Sequence, residues 1–548
     1  MPRKKDDAPL ASRSVSTFRD AAERYVEQTF ERFPSRGSAV GRHEFDRELE
    51  VPSEKVFRAQ EKLVRQTLET LLDLPEHDFR GDDWLDRRAL LAELRTELWA
   101  LERNAHRANP EAWASGAIGA IHELVVRHAD DLEPVAEGVI ARLKKLPKYL
   151  DGASELVDEP VPVWTKMSLA SCEGAPGFLD ALVEPLSRTG KAPKKKLEGW
   201  VDEAKKAFRS YARHVGKAKA GKADGFSVGK ERFESLIRER LGWDVSAREA
   251  EALGRTLAER LEAELEWEAK KLSKRKSARE LIEEAADAWK PSRGDLLSEY
   301  RFQTDRVKKA FQKADVVSFP KGDTLSVKPV PEFLRHQFPT AAYSQPGAYD
   351  SDQTGIFWVN DLSLIREGEA EKHAEIKQHF GLALTSAHEA YPGHHLQFCT
   401  ANRHPSKLRR LFAHAVFYEG WTLWVEQMSV DLGVAEEPTA RLGMLHDAIW
   451  RAHRILIDCG LQTGSMSYDA AVKHLMKHVG FTRARAEGDV NWYTAAPTVP
   501  MSYLIGKMEL LRLKERKVDR GGMSLKAFND WALSFGTLPW RWMEQSGL

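Results

Sequence analysis

The chain has 548 residues, with 83 Lys and Arg balanced by 83 Asp and Glu, so no global field draws it to nucleic acid or an anionic membrane. Hydrophobic residues make up 42% and charged residues 30%, with Gly 36 and Pro 25, which is ordinary globular usage and excludes disordered or collagen-like chains. Three cysteines, Cys172, Cys399 and Cys459, cannot frame a disulfide scaffold and fit a reducing compartment, so the expected location is cytoplasmic.

The basic start, Met1-Pro-Arg-Lys-Lys, has no apolar stretch behind it, and no run of roughly 20 apolar residues occurs later. Neither a secretory leader nor a membrane span is expected. From about Phe18 to Lys313 the texture is helical. Ser246-Ala-Arg-Glu249 reads as a capping box, and Leu253, Leu257, Leu261 and Leu265 follow as a stripe on a long helix. Between Arg188 and Lys222 twelve Lys or Arg face three Asp or Glu, but the run carries no nucleic-acid module. A solvated helical face is the expectation there. Pro and Gly become frequent between about Val316 and Asp361, where Leu325–Val330 and Gly355–Asn360 read as strands. Helical periodicity returns from Ile365 to the end, interrupted near Pro497–Pro500. The fold class is therefore mainly α with a small β-sheet, divided as a helical region 1–314 and a catalytic region 315–548.

Five of the 18 histidines lie between His388 and His414. The informative stretch is His388-Glu389-Ala-Tyr-Pro392-Gly393-His394-His395. It resembles the zinc-hydrolase helix, in which two His bind the metal and the Glu after the first is the general base. The usual second His stands four residues on, where both imidazoles reach one ion. Here the next is six on, about 240° round and about 9 Å along a regular helix, too far to close on one zinc. Pro392 and Gly393 supply the remedy, because Pro removes an amide donor and Gly permits unusual dihedrals. A bulge absorbing two residues would bring His394 into place, while His395 would require three; His394 is the expected ligand and His395 a neighbour or gate. His122 and His128 share the spacing without a breaker between them, and a regular helix would turn them apart.

Catalytic zinc wants a third protein ligand and an open position. Glu419 follows His394 by 25 residues and sits among apolar neighbours, where an unpaired carboxylate would be costly. Gly420 lets another backbone approach it. Glu426, seven residues on, lies on nearly the same helical face and is a candidate for a supporting role.

His-Glu-x-x-Pro-Gly-His-His-x-Gln, followed by Glu419-Gly-Trp421, resembles the DUF885 family, a bacterial group similar to the gluzincin metallopeptidases. Phe226–Phe233, Arg451–Asp458, Pro497–Gly506 and Phe535–Pro539 continue the likeness in the family's order. The resemblance implies one Zn2+ per chain held by His388, His394 and Glu419, with Glu389 as base. It also implies a helical metallopeptidase-like fold with a deep cleft. The chain departs from the family's usual pattern at Trp424, Gln462 and Pro497–Met501, positions that bear on substrate choice. Tyr503 is a candidate oxyanion donor. Asn360 ends an expected edge strand that could hold a peptide. Arg451, Arg454 and Lys507 could grip a carboxylate. His404 and His414 read as structural, and the thiols lack a free base to activate them. The resulting expectation is a zinc-dependent hydrolase of amide bonds in small peptides, with no nucleic-acid or membrane partner. A hydrolase of a natural-product or modified amino-acid amide, and a non-catalytic helical scaffold, are the alternatives.

Overall fold

The computed structural model describes residues 7–330, 341–361 and 376–547. The chain is mainly helical with one small sheet, and forms two compact units. The first is Met1–Phe226 with Gly347–Ser351 and Trp542–Leu548; the second is Ser227–Pro346 with Asp352–Arg541. The change of sequence texture near residue 314 falls within the second unit, between a helix ending at Ala314 and the first strand.

The first unit is built from amphipathic helices. Lys194–Lys217 shows how its composition works: Leu197, Val201, Ala204, Phe208, Tyr211 and Val215 are buried in a single stripe, and the lysines stand on the other faces. Lys194 and Lys205 pair with Glu184 and Asp180. The basic run is thus the solvated side of a packed helix. Arg142 is fully buried, and its guanidinium donates to the carbonyls of Phe45, Glu48 and Ala120, so burial leaves no polar group stranded. Arg127 holds Asp350 at 2.6 Å, tying the 347–351 segment to this unit.

In the second unit the Ser246 capping box forms as expected, with the Ser246 amide donating to Glu249 and the Glu249 amide to the Ser246 hydroxyl. The deep face of that helix, Ala247–Leu272, is made of small residues. Ala250, Gly254 and Ala258 are buried while the leucine stripe flanks them half-buried. A Cβ on Gly254 would stand 3.0 Å from Ile455, so the glycine sets how closely this helix approaches Ala440–Thr463.

The sheet has order β1 (Thr324–Pro329), β3 (Thr354–Val359), β2 (Ala341–Ser344). β3 runs parallel to β1 and antiparallel to β2, with Thr324 opposite Thr354 and Ala341 opposite Val359. Its continuous apolar run, Ile356-Phe-Trp-Val359, is buried, as a central strand requires. β3 is therefore not the expected edge strand, and from Ile356 to Val359 both of its sides are already paired. The short β2 carried too few alternating residues to be read from sequence. The expected return of helix at Ile365 lies outside the described residues. Helices run from Leu382 onward, and the interruption near Pro497 is real: one helix ends at Ala495, Thr498 takes φ +72°, and Val499–Lys514 begins.

Candidate metal centre

The His388 helix, Leu382–Glu389, stops one residue after His388. The chain leaves it at Ala390 (φ −104°, ψ −93°) and passes Pro392 and Gly393 (φ −74°, ψ −132°). A new helix, His394–Ala401, then begins. The device is a full break and restart rather than the expected bulge, because Ala390 and Gly393 both stand far from helical dihedrals and one helix ends before the next begins. Gly393 is required by space: a Cβ there would run into the carbonyl oxygens of Ala387 and His388. Trp421 Nε1 donates to the Pro392 carbonyl at 2.8 Å, pinning the break to the helix Ala415–Asp431. The break brings the His388 and His394 rings to 4.9 Å between centroids, nearly perpendicular at 83°.

Glu419, on Ala415–Asp431, completes the group. Its Oε2 lies 3.8 Å from His388 Nε2 and 3.7 Å from His394 Nε2. Ligands of a tetrahedral zinc at about 2.0–2.2 Å sit about 3.3–3.5 Å from one another, so the three atoms are nearly at ligand spacing. Glu419 is only 8% exposed, and Oε2 has no hydrogen-bond partner. A buried, unpartnered carboxylate oxygen facing two imidazole nitrogens is the donor set of a divalent cation, and the residues fit zinc on that ground.

His388 Nδ1 donates to Glu426 Oε1 at 2.7 Å, which turns Nε2 toward Glu419. The charges around the group are unbalanced. Burial works against a charged His388, but the carboxylates of Glu426, Glu389 and Glu419 outweigh it and raise its pKa to about 9. Burial pushes Glu419 up to about 7 against the pull of His388 and the Tyr503 hydroxyl. Burial, then the neighbouring His388, holds His394 neutral, well below its usual range. Glu389 is raised by burial, with His388 opposing. Carboxylates facing one another across a buried site favour a cation between them.

The helix Val499–Lys514 crosses the Glu419 helix where two glycines meet. A Cβ on Gly420 would stand 2.6 Å from Gly506 Cα, and one on Gly506 would strike the Val416 carbonyl. This close crossing sets Tyr503 beside Glu419, where its hydroxyl helps to lower the carboxyl's pKa against burial. Arg454 lies 4.7 Å from the Tyr503 ring and donates through Nε to Tyr493 at 2.9 Å. Arg451 Nη1 lies 3.1 Å from Asp447 Oδ2, and Lys507 Nζ donates to Gln427 at 3.3 Å. His395 is fully buried and turned to the sheet, with Nδ1 2.9 Å from the Tyr343 hydroxyl and Nε2 3.4 Å from Asp323. Tyr391 donates to the same Asp323 at 2.6 Å. These contacts make His395 a fastening between helix and sheet. Asn360 follows the central strand, which removes the edge on which its peptide-holding role depended.

A cavity of about 310 Å³ opens beside the group, lined by His388, Glu389, Glu426, Arg451, Asp447 and Thr385 among others. Asp447 and His446 were not singled out from sequence; the one available signal was Asp447 four residues before Arg451 on a helix. Tyr343 and Asp323 carried none. Of the remaining groups, His414 Nδ1 meets the Thr537 carbonyl at 3.2 Å and the Ser406 amide donates to His404 Nδ1 at 3.0 Å, both structural contacts. Burial pushes the Cys399 thiol up to about 12.

Residues 34–546 match DUF885, described as a bacterial protein of unknown function, and the chain belongs to that family. Two solved structures share the fold. One, described as a "putative lipoprotein of unknown function" from Shewanella oneidensis, has TM-score 0.77 at 21% identity, over 96% of this chain and 99% of that one. The other, a "putative lipoprotein" from Colwellia psychrerythraea, has TM-score 0.76 at 17% identity, over 98% of each chain. No curated protein gives a significant match. No helix among the described residues is long and apolar enough to cross a membrane.

Proposed function

We propose that the protein is a zinc-dependent hydrolase of amide bonds acting on small peptides. The observation that carries the reading is the unpartnered Glu419 Oε2 standing 3.8 and 3.7 Å from the His388 and His394 nitrogens, with a carboxylate next in sequence to the first of them. Zinc held there supplies Lewis acidity to a scissile carbonyl and acidifies the attacking water. Glu389, raised by burial and lining the cavity with His388, takes the water's proton and delivers it to the leaving amine. Glu426 holds His388 through its Nδ1 and keeps the other nitrogen free. Tyr503, beside Glu419, is the neutral hydroxyl assigned to the developing oxyanion in this reading. The cavity of about 310 Å³ stands at the small end of the usual range of about 300–1,000 Å³, which favours a short substrate over a folded protein.

The cytoplasmic location belongs to this proposal. It is supported by three buried free thiols, whereas the neighbours' description as lipoproteins points to a cell envelope. Fractionation of native cells decides between them. For the activity, a peptide-library digest read by mass spectrometry, with a chelator arm, is the test. Chelator-sensitive cleavage of short peptides is expected. Intact peptides together with less than near-equimolar metal after purification would overturn the reading in favour of a scaffold.

A further inference from the structure

Three helices of the second unit bring a second group of imidazoles together. Ala440–Thr463 supplies His453, Tyr468–His478 supplies His474 and His478, and Ala247–Leu272 supplies Glu262. His474 and His478 are one helical turn apart and share a face. The three rings lie 4.5–5.0 Å from one another between centroids.

His453 is the buried member, 4% exposed. Its Nδ1 is 3.0 Å from His474 Nε2, and with the proton on Nδ1 the lone pair stands on Nε2. That Nε2 is buried, has no hydrogen-bond partner, and lies 3.6 Å from Glu262 Oε1. The separation is too long for a hydrogen bond and close to that of two ligands on one small cation. One ligand atom each from Glu262, His453 and His478 lie within 4.8 Å of one another.

We infer that Glu262, His453 and His478 form a second divalent-metal site, apart from the His388 group, with His474 as the positioning residue that fixes the His453 tautomer. Two imidazoles and a carboxylate suit Zn2+ or a neighbouring first-row transition cation over Ca2+ or Mg2+, which prefer all-oxygen shells. Glu262 and His478 are exposed, so an ion can enter from solvent, and water fills the remaining position. Because the ligands come from three helices, the bound ion clasps them together. Arg255 and Lys477 lie near His474, which weakens the hold relative to a site free of cations.

The inference does not depend on the proposed hydrolase. Zinc is counted per chain after chelator treatment, reloading with Zn2+ and desalting, in full-length protein carrying His388→Ala and Glu419→Ala. One zinc is expected to remain, and to be lost when His478→Ala or Glu262→Gln is added. Both of these positions are exposed, and circular dichroism checks that helix content is kept. In otherwise unaltered protein, His478→Ala should lower the count by one, which keeps the test valid if the double variant fails to fold. One zinc in both the unaltered and the double-variant protein would support this site and reject the His388 group as a metal centre. No zinc in a folded double variant, or a count unmoved by His478→Ala and Glu262→Gln, would overturn the inference.

Discussion

Two stretches of this chain carry a His followed by Glu, with a second His six residues after the first, and only one becomes a candidate centre. At His122 the helix Pro110–Val125 continues past the first histidine, and His128 falls in the short turn that follows. Around His128, Arg127 and His43 are countered by Asp350 and Asp46, and burial is the largest influence on the ring. At His388 the helix is stopped by Pro392 and Gly393, a second helix starts on His394, and three carboxylates surround the first imidazole. Among the described residues, neither His122 nor His128 joins a group of three ligand atoms, whereas His388 and His394 do. The informative signal is therefore the helix breaker between the histidines, together with a carboxylate delivered by another helix. The spacing alone says nothing.

The sharpest way to break that comparison is to remove ligands on each side of it. His388→Ala, His394→Ala and Glu419→Ala should each remove the zinc of this group, lowering the count by one per chain, and abolish hydrolysis, since two ligands leave the ion too open. His122→Ala should change neither. Equal zinc loss in His122→Ala, measured by metal analysis of purified protein, would return the argument to spacing.

Next in size is Glu389→Gln. The amide keeps the shape but cannot accept a proton, so zinc should stay near one equivalent at this group while turnover falls about 10²–10⁴-fold. Undiminished turnover would remove Glu389 from the mechanism. Gly393→Ala should follow, because its Cβ meets the His388 carbonyl and the break must shift to accommodate it. Weaker zinc and a lower unfolding midpoint are expected together. Glu426→Ala is gentler: it frees His388 to rotate without removing a ligand, and should cost about 10–100-fold in zinc affinity. Zinc affinity unchanged in a competition titration would mean that Glu426 does not orient His388.

Much of this was legible in the residues and some could not be. The capping box, the two longer strands to within one residue, and the reach of Glu419 follow from local chemistry or burial cost, both of which sequence carries. The full break at 390–393 was foreseen only as a bulge, since Pro and Gly announce that the ladder fails but not how far. The place of β3 in the middle of the sheet depends on β2, a four-residue strand paired through tertiary context. The same limit hid the fastening of His395 by Tyr343 and Asp323, and the gathering of Glu262 with His453 and His478 from three helices. Convergence of distant elements is a property of packing, and no single stretch records it.

The smallest effect expected has the opposite sign and belongs to the unbroken segment. Gly119 sits within Pro110–Val125, three residues before His122, and a Cβ there would meet nothing within 4 Å. Glycine in a helix interior leaves the unfolded chain more freedom to lose than alanine does, so Gly119→Ala should stabilise by about 0.4–1 kcal/mol. At Gly393 the same added methyl group meets backbone carbonyls, and no gain in the unfolded state can offset that collision. Denaturant unfolding of the two variants should therefore move the midpoint in opposite directions at similar slope, up for Gly119→Ala and down for Gly393→Ala. Two shifts of the same sign would show that the break at 390–393 tolerates a side chain, and that its glycine is not what separates the two histidine segments.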